Sequence, residues 1–215
     1  MGQDIISDLL QYIHKYYPIG MPHLYDRPRD LERDRIVATK ISEIIDGVKT
    51  PWTSLTMDLI ENGLNISNMS HRQFPSYYLK IEKRPQRAIE HISYSRNLIL
   101  IVSLLCPYYT AFYEDEYRFN NIRTEIIDGG PTFRIFFREL LPELSFDDPG
   151  SFTILKNLTE KHFQKHTFIS HGILFGHHIT GGVVELEALA GVGPFPVFSY
   201  LFEDSIQLKN LEIRP

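Results

Sequence analysis

The chain has 215 residues, 43% of them hydrophobic and 23% charged, with a formal net charge of −5 and a single cysteine. This is the composition of a soluble globular protein long enough to bury a core without staples. It excludes an internal disulfide, lacks the basic footprint that nucleic-acid binding requires, and contains no apolar run near the roughly 20 residues of a membrane-spanning helix.

The charge is unevenly placed. Residues 1–107 carry 13 basic and 12 acidic side chains, whereas residues 108–215 carry 9 and 15. The second half would attract a basic protein partner. The N-terminus, MGQDIISDLL, holds acids where a secretory signal would hold bases and then an apolar stretch. A cytoplasmic protein is therefore expected. Cys106 lies within an apolar run, which fits a buried inert thiol and a reducing compartment.

Residues 3–17 predict an amphipathic helix, with Ile6, Leu9, Leu10, Ile13 and Tyr17 at helical spacing. After a proline-rich loop, Asp30 can cap a second helix with Val37, Ile41, Ile44, Ile45 and Val48 on its inner stripe. Its early charges, Arg29 to Arg35, read as a solvated face. Thr50-Pro51-Trp52 is a helix start, with Thr as N-cap and Pro at the first position. Trp52, Leu55, Leu59 and Ile60 supply that helix's apolar face, and Asn62-Gly63 ends it.

From Phe74 the period changes to two. Tyr77, Leu79 and Ile81 alternate with Tyr78, Lys80 and Glu82, as in a strand. A turn at Arg84 to Arg87 and a strand at Ile89 to Tyr94 follow. The longest apolar run, Leu98 to Cys106, fits a central strand buried on both faces. Pro107 breaks it, and the alternating residues from Tyr108 onward predict its antiparallel partner. Phe133, Phe136, Phe137, Leu140, Leu141 and Leu144 lie at helical spacing. Asp147-Asp148-Pro149 opens a further helix with Phe152, Leu155, Thr159 and Phe163 on its buried face. Phe168 to Phe175 and His177 to Ile179 read as strands. Gly181-Gly182 reads as a hairpin turn, Val184 to Ala188 as a one-sided strand and Ile206 to Ile213 as an edge strand. Val197, Phe198, Leu201 and Phe202 fit helix or strand equally well.

These elements predict one α+β domain over residues 1–215, with a mainly antiparallel central sheet and helices packed against it. A helical part, about 3–63, precedes the strands, and a mixed part covers about 74–215.

Chemistry is sparse. There is no nucleophile elbow, and Gly191-Val192-Gly193 lacks the third glycine and following helix of a phosphate loop. Five of the nine histidines lie between 162 and 178: His162, His166, His171, His177 and His178. His162 and His166 are four apart, so on a helix they would share a face and could hold a metal together with His171 or His177. No glutamate stands between the first pair to act as general base, so no residue is assigned a catalytic role; His166 also projects near the Leu155 and Thr159 stripe, as a core histidine would, and no metal or other cofactor is expected. The aromatic and acidic cluster Tyr108, Tyr109, Tyr113, Glu114, Asp115, Glu116 and Tyr117 predicts a contact surface for another protein, since tyrosine buries area at little entropic cost.

The stretch VSLLCPYYTAFYEDEY resembles bacterial toxin-immunity proteins, small cytosolic α+β proteins that neutralise a toxin domain by binding it. The resemblance implies a non-catalytic binding module with a basic toxin domain as partner. Two other readings stay open: a metal-dependent hydrolase built on His162 to His178, and a structural subunit of a larger assembly.

Overall fold

The computed structural model describes residues 2–17, 32–82, 87–89, 92–119, 136–141, 149–180 and 194–202. Three helices come first, as the sequence predicts: α1 (Gly2–Tyr16), α2 (Glu32–Ile45) and α3 (Pro51–Glu61). Local chemistry fixes the last of these at both ends. The Thr50 side chain accepts from Thr53 N at 3.2 Å and Thr53 Oγ1 accepts from Thr50 N at 2.8 Å, which closes a capping box ahead of Pro51. At the far end Gly63 adopts φ +79°, Leu64 N donates to Leu59 O and Gly63 N donates to Ile60 O. Gly47, at φ +65°, ends α2 in the same way, with Val48 N on Glu43 O and Gly47 N on Ile44 O. Both are Schellman motifs, which need a residue that tolerates positive φ.

The sheet contains β1 (Ile66–Asn68), β2 (Ser76–Glu82), β3 (Arg87–Ile89), β4 (Ile92–Ser103), β5 (Tyr108–Phe119) and β6 (Phe136–Leu141). Its order is β1-β2-β4-β5-β6 and these neighbours are antiparallel. The pair β4 and β5 forms its centre, in register from Ile92 opposite Phe119 to Val102 opposite Tyr109. After α4 (Pro149–His162), the short β7 (Thr167–Phe168) runs parallel to the start of β5. Then come α5 (His171–Gly176), β8 (His178–Ile179), β9 (Phe195–Pro196) and α6 (Val197–Leu201).

Side chains alternate across a strand, and here each face of the sheet carries its own core. Leu98, Leu100 and Val102 join Tyr77, Leu79, Ile81, Tyr109, Ala111 and Tyr113 beneath α3 and α4, where Trp52, Leu55, Leu59, Leu155 and Phe163 cover them. Ile99, Ile101, Tyr78 and Phe112 face the other way, against Leu9 and Ile13 of α1, Leu174 of α5 and the whole of α6. The central apolar run is thus buried on both faces, which explains why it lacks polar alternation.

Six sequence expectations change, the first on α1, where Leu10 of the expected apolar stripe is exposed. Phe133 to Leu144 reads as a helix by spacing, but Phe136–Leu141 is β6, hydrogen-bonded to β5. Aromatic residues favour strands, and an edge of β5 open to pairing decides an otherwise ambiguous run. Phe168 to Phe175 is not a strand: after Phe168 the Ser170 hydroxyl accepts from Gly172 N and starts α5. Ile89 to Tyr94 is divided between β3 and β4, with Ile89 paired to Ile92. The inner stripe of α2 is Arg33, Val37 and Lys40, with Ile44 partly buried, while Ile45 and Val48 face solvent. Ile60 on α3 is also exposed. The segment from 197, left open by the sequence, is helical. The turn at 84–86, the helix-cap residues Asp147 and Asp148, the hairpin at Gly181-Gly182 and the strands expected at 184–188 and 206–213 lie outside the described residues.

Helix α6 is fully buried, so its C-terminal carbonyls cannot turn to water. Three hydroxyls from three other elements satisfy them. Tyr17 Oη donates to Tyr200 O, Ser103 Oγ to Leu201 O at 2.6 Å, and Ser76 Oγ to Phe202 O at 2.6 Å. Ser103→Ala will leave a buried carbonyl without a donor and should cost about 1–3 kcal/mol, read as a lower urea midpoint with an unchanged m-value.

Candidate functional site

The aromatic and acidic cluster on β5 is mostly internal. Tyr109 and Tyr113 are buried in the core under α3 and α4, and Glu114 and Asp115 are 3% and 4% exposed. Arg96 stands directly opposite Asp115 in register and grips it with two hydrogen bonds of 2.7 and 2.8 Å. Tyr109 Oη reaches Glu160 at 3.0 Å, and the half-buried Tyr108 donates to Asp8 at 2.6 Å. Burial raises the pKa of both phenols, and the neighbouring carboxylates push in the same direction. Glu116 and Tyr117 continue β5 opposite Arg138 and Phe137 of β6, and their side chains lie outside the described residues. Of the residues expected at a contact surface, Tyr109, Tyr113, Glu114 and Asp115 are thus buried within the described structure.

The histidines do not assemble either. His162 ends α4, so His166 lies beyond the helix and the two do not share a helical face. His162 Nε2 and Lys161 Nζ both bind Asp58 Oδ2, at 2.8 and 2.7 Å, and join α4 to α3. The lysine first and the histidine second hold the Asp58 carboxyl below the usual carboxylate range. His166 packs edge-on against Phe163 and its Nε2 sits 3.2 Å from Ser103 O. His171 lies against the Phe112 ring, and His177 Nδ1 lies 2.8 Å from Ile173 O. Among the described residues no three His, Cys, Asp or Glu side chains are placed to hold a metal. The Cys106 thiol is buried and pushed up to about 12, so it is no nucleophile at neutral pH.

The α2–α3 corner is different, and sequence reasoning missed it. Ile45 is 77% exposed, Met57 59% and Ile60 58%, with Val48 also exposed. Met57 and Ile60 are one helical turn apart and share a face. Acids flank them at Glu43, Asp46 and Glu61. The same helix turns two cations inward. Arg33 Nε bonds Tyr17 Oη at 3.0 Å. Lys40 Nζ bonds the carbonyls of Arg72, Phe74 and Ser76 at 2.8, 2.7 and 3.0 Å, which uses all three donors of the ammonium. Burial, with a smaller push from Arg33, brings the Lys40 pKa down to about 8. The three carbonyl oxygens replace the water that burial removes. A cleft of about 270 Å³ lies beside Lys40, between α2 and the side chains of Tyr77 and Leu104.

No known family model matches the chain, and no curated protein or solved structure matches it.

Lys40→Met will strip three carbonyls, that of Ser76 buried and those of Arg72 and Phe74 partly so, of their donor. The loss should be about 1–3 kcal/mol in denaturant unfolding, with faster proteolysis at residues 72–76. His166 supplies a pH dependence. Burial holds its pKa below the ordinary 6.5, so the unfolded chain takes up the proton first. Its contribution to stability is complete above that value and is lost as pH falls through the lowered one. A plot of stability against pH should slope downward on the acid side, and His166→Gln, which keeps a donor for Ser103 O, should flatten it.

Proposed function

We propose that the protein is a non-catalytic binding module for a basic protein partner, which it meets at the α2–α3 corner. The observation that carries this reading is the exposure of Met57 and Ile60 on α3, capped at both ends, and of Ile45 beside the capped C-terminal end of α2. Single exposed apolar residues are ordinary. Here exposed large apolar side chains stand at the end of α2 and along α3, with Lys49 the one base between Glu43 and Glu61 in the chain and Lys161 of α4 paired to Asp58. An apolar centre with a charged rim suits protein recognition, and the sign of the rim selects a basic partner. The rigid scaffold lowers the ordering cost of binding.

The resemblance to toxin-immunity proteins supports a basic toxin domain as that partner and neutralisation as the outcome of binding. The stretch that carries the resemblance lies largely in the sheet centre, so it speaks for the scaffold, and the contact residues come from α2 and α3.

The test uses the full chain, tagged, with Ile45→Asp/Ile60→Asp as the variant and Lys165→Ala as the control. The wild type and the control should retain one basic protein in stoichiometric amount, weakened by salt. The double variant should lose at least tenfold in affinity while keeping its melting temperature. Equal binding by a folded double variant would overturn the assignment of this face. A bound partner that is acidic would overturn the choice of partner.

A further inference from the structure

The cleft beside α2 has a chemistry of its own. Its floor is apolar, made by Ile36, Leu104 and the ring of Tyr77. Tyr77 is held flat against Trp52, with ring centroids 4.9 Å apart and planes within 8°, so this floor is rigid. Glu32 and Glu43 stand in the walls. Glu32 pairs with Lys15 at 3.4 Å. Glu43 is partly buried as a residue, and its side chain makes no hydrogen bond or ion pair among the described residues. A cation entering the cleft would meet this carboxylate and be attracted to it.

The cations already in the walls do not fill this role. The Lys40 ammonium has its three donors on carbonyls, and Arg35 has an interaction of its own. The volume of about 270 Å³ lies below the roughly 300–1,000 Å³ of small-molecule pockets, which favours one side chain over a whole ligand. Lysine and arginine join an apolar stem to a charged head, and this cleft offers an apolar floor and one unpaired carboxylate. Val48 N binds Glu43 O at 2.9 Å, which places the carboxylate-bearing residue within one turn of the exposed corner.

We propose that the cleft takes a single arginine or lysine side chain of the basic partner, with its stem on Ile36, Leu104 and Tyr77 and its head on Glu43. This rests on the protein-binding reading and adds to it the residue type that the partner must present. The exposed apolar corner would then supply the contact area and the cleft the choice of residue.

The experiment titrates the full 15N-labelled chain with N-acetyl-argininamide and, separately, with N-acetyl-norleucinamide, which has an apolar stem and no charge. The arginine probe should shift the amides of Thr39, Glu43, Tyr77 and Leu104, and the uncharged probe should not. Glu43→Gln, with its melting temperature unchanged, should weaken the arginine probe at least tenfold. No shifts at saturating probe, equal shifts from both probes, or undiminished binding by Glu43→Gln would each overturn the proposal. A partner still captured by Glu43→Gln at full affinity would sink the cleft and leave the corner standing. Conversely, probe binding kept by Ile45→Asp/Ile60→Asp, which should lose the partner, would show the two sites to be separable and support the cleft.

Discussion

The structure depends on how a buried helix end is satisfied. Helix α6 sits wholly inside the core on one face of the sheet, and its last carbonyls have no route to water. Leaving such groups unpaired would cost far more than a hydrogen bond gains. Tyr17 from the end of α1, Ser76 from β2 and Ser103 from β4 each send a hydroxyl to one of them. Three elements far apart in the chain are thereby fixed to a fourth. The network continues outward, since Arg33 holds Tyr17 and Lys40 holds the carbonyl of Ser76. The two buried cations of α2 thus support the groups that close α6.

That demand sets the rotation of α2. Arg33, Val37, Lys40 and Ile44 follow the 3.6-residue period, and turning this stripe inward to reach Tyr17 and the 72–76 carbonyls carries Ile45 to the outside. Hydrophobicity alone selects a different stripe, with Ile41, Ile45 and Val48 inward. The polar network wins because three carbonyls in want of a donor outweigh the burial of one more isoleucine, worth roughly 1.5–3 kcal/mol. An apolar residue at the surface follows from a polar requirement in the core.

Much of the scaffold was legible in the sequence wherever local chemistry decides the outcome. Thr50-Pro51 and Asn62-Gly63 mark the limits of α3, the run from Leu98 marks the central strand, and Phe152, Leu155, Thr159 and Phe163 mark the buried face of α4. Sequence reading failed where a distant partner decides. Phe136–Leu141 has helical spacing until β5 presents an edge. Nothing in the run Glu114-Asp115-Glu116 announces that Arg96 stands across from Asp115. The candidate site was invisible for the same reason, because nothing near Lys40 in the chain announces the carbonyls of residues 72–76. A lysine and an arginine seven residues apart on one helix, each level with apolar positions, was the available signal.

Burial also changes what a charge count means. Residues 1–107 carry one more base than acid, which suggests a nearly neutral half. Yet Arg33 and Lys40 are 5% and 2% exposed, and their charges are answered by a tyrosine, a neighbouring aspartate and backbone carbonyls inside the fold. With those two cations withdrawn from solvent, the turn after α2 presents Asp46 beside Lys49, α3 adds Glu61, and Glu43 lines the cleft beside Lys40. The inward turn of the cations that exposes Ile45 therefore also makes its surroundings acidic. The exposure of Ile45 and the withdrawal of two cations from the surface thus come from one structural event, the anchoring of α2 through its positive residues. A variant that weakened the anchor would disturb the apolar surface and the sign of its rim together.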